Sequence, residues 1–377
     1  MKDYRYTYTI SIIEGVPVVF SELEKARRIQ DMTGFGGRWK THYQRRAVSN
    51  MFDPRSYLLD NVALGMRGKS LLSIHDLSRE EVWKIFEVSS KLKEENKTGV
   101  THHLLCGKTL AMIFMKPSTR TRVSFEVGMW QLGGYPLFLS SQELQLKRGE
   151  TAADTAQVLS RYVNGIMIRT FDQKDVEDLA KYGTIPVING LTDLLHPCQV
   201  LADYFTVYEK RSKTKGLKMV YVGDGNNMAH SLMYGGAKVG MHVTIACPPE
   251  LEPLPAIVEA AREDGKAEGV TIEVTHDPYE AVKGADVIYT DVWASMGQEA
   301  ESERKARILQ PYQVNKDLVE AAGNKDVMVM HCLPAHRGDE ITDEVMDGPY
   351  SVVFDEAENR LHVQKAILAL LMQDKRD

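Results

Sequence analysis

The sequence is poor in cysteine: Cys106, Cys198, Cys247 and Cys332 are the only four in 377 residues, and no two form a CxxC pair. That spacing excludes a zinc ribbon and a disulfide scaffold, and the expectation is reduced thiols in a reducing compartment. Long apolar runs are missing as well. A stretch such as Ala366 to Met372 falls far short of the roughly 20 residues that cross a bilayer, so no membrane partner is expected. Excess positive charge is absent: 46 Lys+Arg stand against 52 Asp+Glu, a formal net charge of −6. No global cationic field exists to hold nucleic acid, although a local basic pocket is not excluded.

What is present is an ordinary globular composition, 43% hydrophobic and 26% charged, with enough apolar material for two cores. From Met66 onward, short β-branched or apolar runs alternate with longer amphipathic segments, the pattern of α/β domains with mainly parallel sheets. Ser78-Arg79-Glu80-Glu81 is a capping box, and Val82, Ile85, Phe86 and Leu92 follow at helical spacing. Strands are expected at Thr109 to Phe114, Pro136 to Leu139, Gly165 to Ile168 and Ile185 to Ile188. Between them lie helical patterns near Thr119 to Gln131, Ala153 to Tyr162 and Val176 to Tyr182. The charged stretch Glu209 to Gly216 reads as a solvated loop near a domain boundary. A second series follows, with strands at Lys218 to Val222, His242 to Ala246, Thr271 to Val274, Asp286 to Tyr289 and Val327 to Met330, and a helix at Leu254 to Glu263. A last helix, Ala357 to Gln373, is apolar on one face. The expectation is two doubly wound parallel-sheet domains, residues 66–207 with helix 356–374 and residues 208–355.

Residues 1–65 differ. A strand-like opening, Tyr4 to Ile13, precedes a basic stretch with Arg27, Arg28, Arg38, Lys40, Arg45 and Arg46. Glu22, Glu24, Asp31 and Asp53 argue against a transit peptide, which avoids acids. The expectation is an extension of unassigned role, with Met66 as an alternative start. A cytoplasmic location is the default, and an organelle matrix the alternative if residues 1–65 are a cleaved leader.

The first expected strand runs into Ser118-Thr119-Arg120-Thr121-Arg122 at the start of a helical pattern. Hydroxyls, guanidinium groups and free backbone N–H groups at a helix start form a phosphate cradle at the carboxyl end of a strand. A capped helix with surface arginines is the alternative for any one of these residues, but a weaker one for the five together. Further on, His196-Pro197-Cys198-Gln199 combines an imidazole able to meet a carbonyl oxygen with an amide able to meet an NH₂ group. Gly223-Asp224-Gly225-Asn226-Asn227-Met228 follows a strand as in a nucleotide-binding fold, but Met228 stands where a third glycine would be, which weakens a dinucleotide reading. Asp291 can pair with an ammonium group. Cys332 lies near His331 and His336, which suggests a nucleophile or a zinc ligand, yet an isolated cysteine is more often a buried structural one.

The Ser-Thr-Arg-Thr-Arg segment, His-Pro-Cys-Gln and His331-Cys332-Leu333-Pro334, in that order, resemble the aspartate and ornithine carbamoyltransferase family from about Met66 to the end. The resemblance implies that Ser118, Thr119, Arg120 and Thr121 hold the phosphate of carbamoyl phosphate, and that Arg120, Thr121, Arg169 and His196 polarise its carbonyl. It implies that Gln199 and Arg360 contact the carbamoyl group and that the Cys332 and Leu333 carbonyls receive its NH₂, with the Cys332 thiol near the attacking amine and a cis bond at Leu333-Pro334. Gln145 is implied as a residue delivered from a neighbouring subunit of a homotrimer. Asp-Gly-Asn-Asn and Asp291 to Gly297 resemble the ornithine branch, with Asn227 at the α-carboxylate or backbone end, Asp291 at an ammonium group, and Ser295 and Met296 along the polar and methylene parts. The implied reaction is carbamoyl phosphate plus L-ornithine to L-citrulline plus phosphate, with no cofactor and no metal. Aspartate or putrescine as acceptor is the alternative within the family, Arg148 being the feature that favours the aspartate branch. A nucleotide-dependent oxidoreductase or a ligand-binding regulator is the alternative outside it.

Overall fold

The computed structural model describes residues 8–13 and 16–21 as backbone, and residues 56–140, 149–293 and 302–373. Two compact units result, Met1–Ser56 and Tyr57–Asp377. In the first, Tyr8–Ile13 (β1) and Val16–Ser21 (β2) pair antiparallel, with Ile13 opposite Val16.

The second unit begins at Tyr57, before the Met66 boundary expected from the sequence. Helix α1, Asn61–Met66, buries Ala63 and Met66, so these residues belong to the packed body. Helix α2 spans Arg79–Lys97, and Ser78 closes the expected capping box with Glu81. Four strands then form a parallel sheet: Thr109–Phe114 (β3), Tyr135–Ser140 (β4), Gly165–Arg169 (β5) and Val187–Leu191 (β6), in the order β4-β3-β5-β6. Pro136 lies in β4, an edge strand, where a missing N–H costs no ladder bond. Helices α3 (Thr119–Gln131), α4 (Ala152–Leu159) and α5 (Gln173–Tyr182) make the crossovers.

Helix α6, Pro197–Arg211, was not legible as a helix: every residue from Pro197 to Val207 is buried, so no amphipathic period marks it. It also corrects the expected loop at Glu209 to Gly216, since Glu209, Lys210 and Arg211 are its last turn and left-handed Ser212 ends it. The second sheet contains Lys218–Val222 (β7), His242–Ala246 (β8), Ile272–Thr275 (β9), Val287–Thr290 (β10) and Met328–His331 (β11), all parallel in the order β11-β10-β7-β8-β9. Around it lie α7 (Asn227–Val239), α8 (Pro255–Lys266), α9 (Pro278–Val282), α10 (Ser302–Leu309), α11 (Lys316–Ala321) and α12 (Asp343–Met346). The last helix, α13, Val353–Met372, packs on α2, α6 and α3, and so returns to the first sheet's domain. The architecture is two parallel-sheet α/β domains, with α6 and α13 as buried connections.

Candidate active site

In parallel sheets the strand ends that feed helices share one edge, and a cavity of about 350 Å³ opens there, between the carboxyl ends of both sheets. On the first sheet, β3 ends at Phe114 and the chain turns into α3 through Ser118. The Ser118 backbone is extended, as an N-cap requires. Its hydroxyl accepts the Thr121 N–H at 3.2 Å and donates to Thr121 Oγ1 at 3.0 Å. Parallel pairing sets Arg169, the last residue of β5, beside Phe114, and Arg169 Nη1 donates to Thr121 Oγ1 at 3.5 Å. Arg360 enters from α13, and its Nη1 donates to Gln199 Oε1 on α6. Arg122, the last residue of the motif, instead bonds Glu126 at 2.9 Å and lies over the Phe138 ring.

Arg120, Arg169 and Arg360 concentrate positive charge in one place. Burial, followed by the neighbouring Arg360 and Arg120, pulls Arg169 down to about 10, and burial also lowers Arg120. Both remain cationic near neutral pH. His196 precedes Pro197, the first residue of α6, and its N–H donates to Ser231 Oγ at 2.8 Å. Burial and then Arg360, Arg169 and Arg120 hold its pKa well below the ordinary imidazole value. The ring is therefore neutral, and its Nδ1, with Arg169 Nε and Arg360 Nε, has no hydrogen-bond partner within the described residues. These are buried polar atoms suited to a polar ligand.

The second sheet supplies the opposite wall. Behind β7, Gly225 is required by close approach, because a Cβ there would sit 2.3 Å from the Pro253 nitrogen. Asn226 caps α7, its Oδ1 accepting from Met228 N at 2.9 Å, and its Nδ2 donates to Asp291 Oδ2 at 3.3 Å. Asn227 lines the cavity and donates to the Thr192 carbonyl at 2.7 Å. Asp291 follows β10; its Oδ1 accepts from Val292 N at 2.8 Å and from the Cys332 thiol at 2.9 Å. Burial and then the Asp291 charge raise Cys332 well above the usual thiol value, which disfavours a nucleophilic thiolate. Asp291, His331 and Cys332 offer ligand-type atoms within 4.8 Å of one another. However, His331 Nδ1 accepts from Leu333 N at 2.9 Å and its Nε2 meets Glu340 at 3.0 Å, so its ring nitrogens are already engaged. This is a poor metal donor set. Leu333-Pro334 is cis.

The cavity brings together Ser118, Thr119, Arg120, Thr121, Arg169 and His196 with Gln199, Asn227, Asp291, Cys332, Leu333 and Arg360. Gln145, Arg148, Ser295 and Met296 lie outside the described residues. Sequence reasoning missed Lys116 and Asp193, which pair with each other at the cavity wall; Lys116 also lies 4.2 Å from the Phe171 ring centroid. The position of Lys116, two residues before Ser118, was the one available signal.

Two family models match the chain. Residues 69–209 match the aspartate/ornithine carbamoyltransferase carbamoyl-P binding domain, and residues 215–371 match the Asp/Orn binding domain of the same family. An ornithine carbamoyltransferase of Thermococcus kodakarensis is 60% identical over 311 residues, 82% of this chain and 98% of that protein. An anabolic ornithine carbamoyltransferase of Pyrococcus furiosus is 60% identical with the same coverage. Among solved structures, ornithine carbamoyltransferase from Pyrococcus furiosus superposes with a TM-score of 0.79 at 60% identity, covering 81% of this chain and 98% of the other. The enzyme from Gloeobacter violaceus gives 0.73 at 46% identity, covering 81% and 99%.

Proposed function

From the premise that the chain belongs to the aspartate/ornithine carbamoyltransferase family, we propose that it transfers the carbamoyl group of carbamoyl phosphate to L-ornithine, giving L-citrulline and phosphate. The observation that carries this reading is the juxtaposition of a hydroxyl-capped helix start and three guanidinium groups with Asp291 across one cavity. The first set suits a dianionic phosphate and a polarised carbonyl; the second suits an ammonium-bearing acceptor. Ser118, Thr119, Arg120 and Thr121 hold phosphate. Arg120, Thr121, Arg169 and His196, whose Nδ1 has no partner among the described residues, polarise the carbonyl oxygen as negative charge develops. The Gln199 oxygen and the Cys332 and Leu333 carbonyls receive the NH₂, and Arg360 contacts the carbamoyl group while also bonding Gln199. On the acceptor side, Asn227 meets the α-carboxylate end and Asp291 the ammonium, with Ser295 and Met296 completing that side and Gln145 entering from a neighbouring subunit.

The neutral δ-amine forms the new N–C bond and loses a proton, and the C–O bond to phosphate breaks. Positioning and fixed charge carry the rate, because the leaving group is already activated and needs no cofactor or metal. The rate rises with pH toward the amine pKa of ~10. The direction follows the anabolic Pyrococcus relative. The domain division at 207/208, with helix 356–374 joined to the first domain, and a cytoplasmic location belong to the same proposal.

Citrulline formation assayed with ornithine, aspartate and putrescine separately tests it. Citrulline from ornithine alone is expected, with Arg120→Ala and Asp291→Ala each lowering kcat/KM at least about 100-fold, in line with loss of a buried charged contact. Phosphate release with aspartate or putrescine instead overturns the assigned acceptor.

A further inference from the structure

Beneath Gln199, the two buried connecting helices bring together two carboxyls to which carbamoyl transfer assigns no task. Asp203 lies one turn after Gln199 on α6, and Glu356 lies in the first turn of α13; both are fully buried. The Gln199 amide nitrogen donates to Asp203 Oδ1 at 2.7 Å and to Glu356 Oε1 at 3.1 Å. Glu356 Oε1 also accepts the Tyr289 hydroxyl at 3.0 Å, and its Oε2 accepts the His331 N–H at 2.9 Å. Both carboxyls thus meet one amide nitrogen, and Asp203 Oδ2 has no hydrogen-bond partner within the described residues. Two carboxyls buried around one nitrogen oppose ionising together, and one proton held by the pair relieves the like charge. Burial accordingly raises both groups above the ordinary carboxylate range.

A primary amide is nearly symmetric in shape, so its neighbours decide which end points where. On one side of Gln199 stand carboxyl oxygens that accept. On the other stands Arg360, which only donates. Reversal would oppose donor to donor and acceptor to acceptor. We propose that Asp203 and Glu356 act as a singly protonated carboxyl pair that positions the Gln199 amide with its oxygen toward the cavity, where it reads the NH₂ of the carbamoyl group. This rests on the carbamoyl-transfer reading above and extends it to donor discrimination. A donor with a methyl group in place of NH₂ offers that oxygen no hydrogen.

The test uses the full chain as wild type, Asp203→Asn and Asp203→Leu. The readouts are KM for carbamoyl phosphate and ornithine, and Ki for acetyl phosphate as a competitor of carbamoyl phosphate. The asparagine variant keeps the carbonyl that Gln199 meets, and its NH₂ replaces the shared proton, so all three constants should stay within about threefold of wild type. The leucine variant removes the acceptor. KM for carbamoyl phosphate should then rise about tenfold, the scale of one hydrogen bond, while the other two constants change less than about twofold. Equal weakening of both phosphates in Asp203→Leu, or a tenfold loss in Asp203→Asn, overturns the proposal. If Asp203→Leu does not fold, Asp203→Asn decides alone, near-wild-type constants supporting the pair and a tenfold loss overturning it. A wild type that makes no citrulline overturns the reading beneath, whereas an active wild type with unselective losses overturns the positioning role alone.

Discussion

His196 shows how strongly surroundings set the chemistry of one side chain. An isolated histidine before a proline reads as a loop residue, but here burial and three guanidinium groups keep the ring neutral. The consequence for stability has a definite sign. In the unfolded chain His196 binds a proton near pH ~6.5, and in the folded chain it does not, so stability falls as pH drops below that value, by at most ~1.4 kcal/mol per pH unit. Urea midpoints between pH ~6.5 and ~5 should therefore decline less steeply in His196→Gln than in wild type. Parallel slopes would show that His196 is as easily protonated in the folded protein as outside it. Cys332 teaches the converse lesson. Its neighbours in sequence, His331 and His336, suggest metal or nucleophile chemistry, whereas in space its thiol donates a hydrogen bond to Asp291.

The elements were legible in proportion to how one-sided their burial is. Helix α2 has a capping box and a solvent face, so its start at Arg79 follows from Ser78 and Glu81, and both capping bonds form. Ser78→Ala should cost about 1 kcal/mol and lower Tm by about 2 °C while leaving both KM values unchanged, as seen by calorimetry beside steady-state kinetics. A shift in KM for either substrate would mean that this cap reaches the site. Helix α6 is the opposite case. Buried on all sides, it has no periodicity to read, and the charged residues of its last turn resemble a loop because they bond across helices: Lys93 Nζ meets Glu209 at 2.8 Å, and Lys210 meets Asp355 at 2.9 Å. Strand positions could be read from β-branched runs, with ends shifted where partner strands, not local composition, set the length, as where β6 continues to Leu191.

For the whole molecule, Val123 and Trp130 share one face of α3 and are half or more exposed, at 50% and 72%, an apolar pair suited to a subunit contact of the homotrimer that the resemblance implies. Sedimentation equilibrium should give three times the 42.5 kDa chain mass, and Trp130→Glu should shift it toward monomer with loss of activity. A fully active monomer would remove the shared-site reading. The two-sheet plan, the hydroxyl-capped helix start at Ser118 and the family were legible along the chain alone, because hydrophobic period and contiguous motifs are local properties. The resemblance implied that Arg169, Arg360 and His196 share one site, whereas their contacts, the pairing of Lys116 with Asp193, and the meeting of Asp203 and Glu356 under Gln199 emerged from packing. Those contacts join residues from distant parts of the chain, Arg169 on β5 and Arg360 on the last helix among them, and depend on where parallel strands end and buried helices cross. No local signal encodes that convergence, since it comes into being only when both sheets and the helices between them are packed.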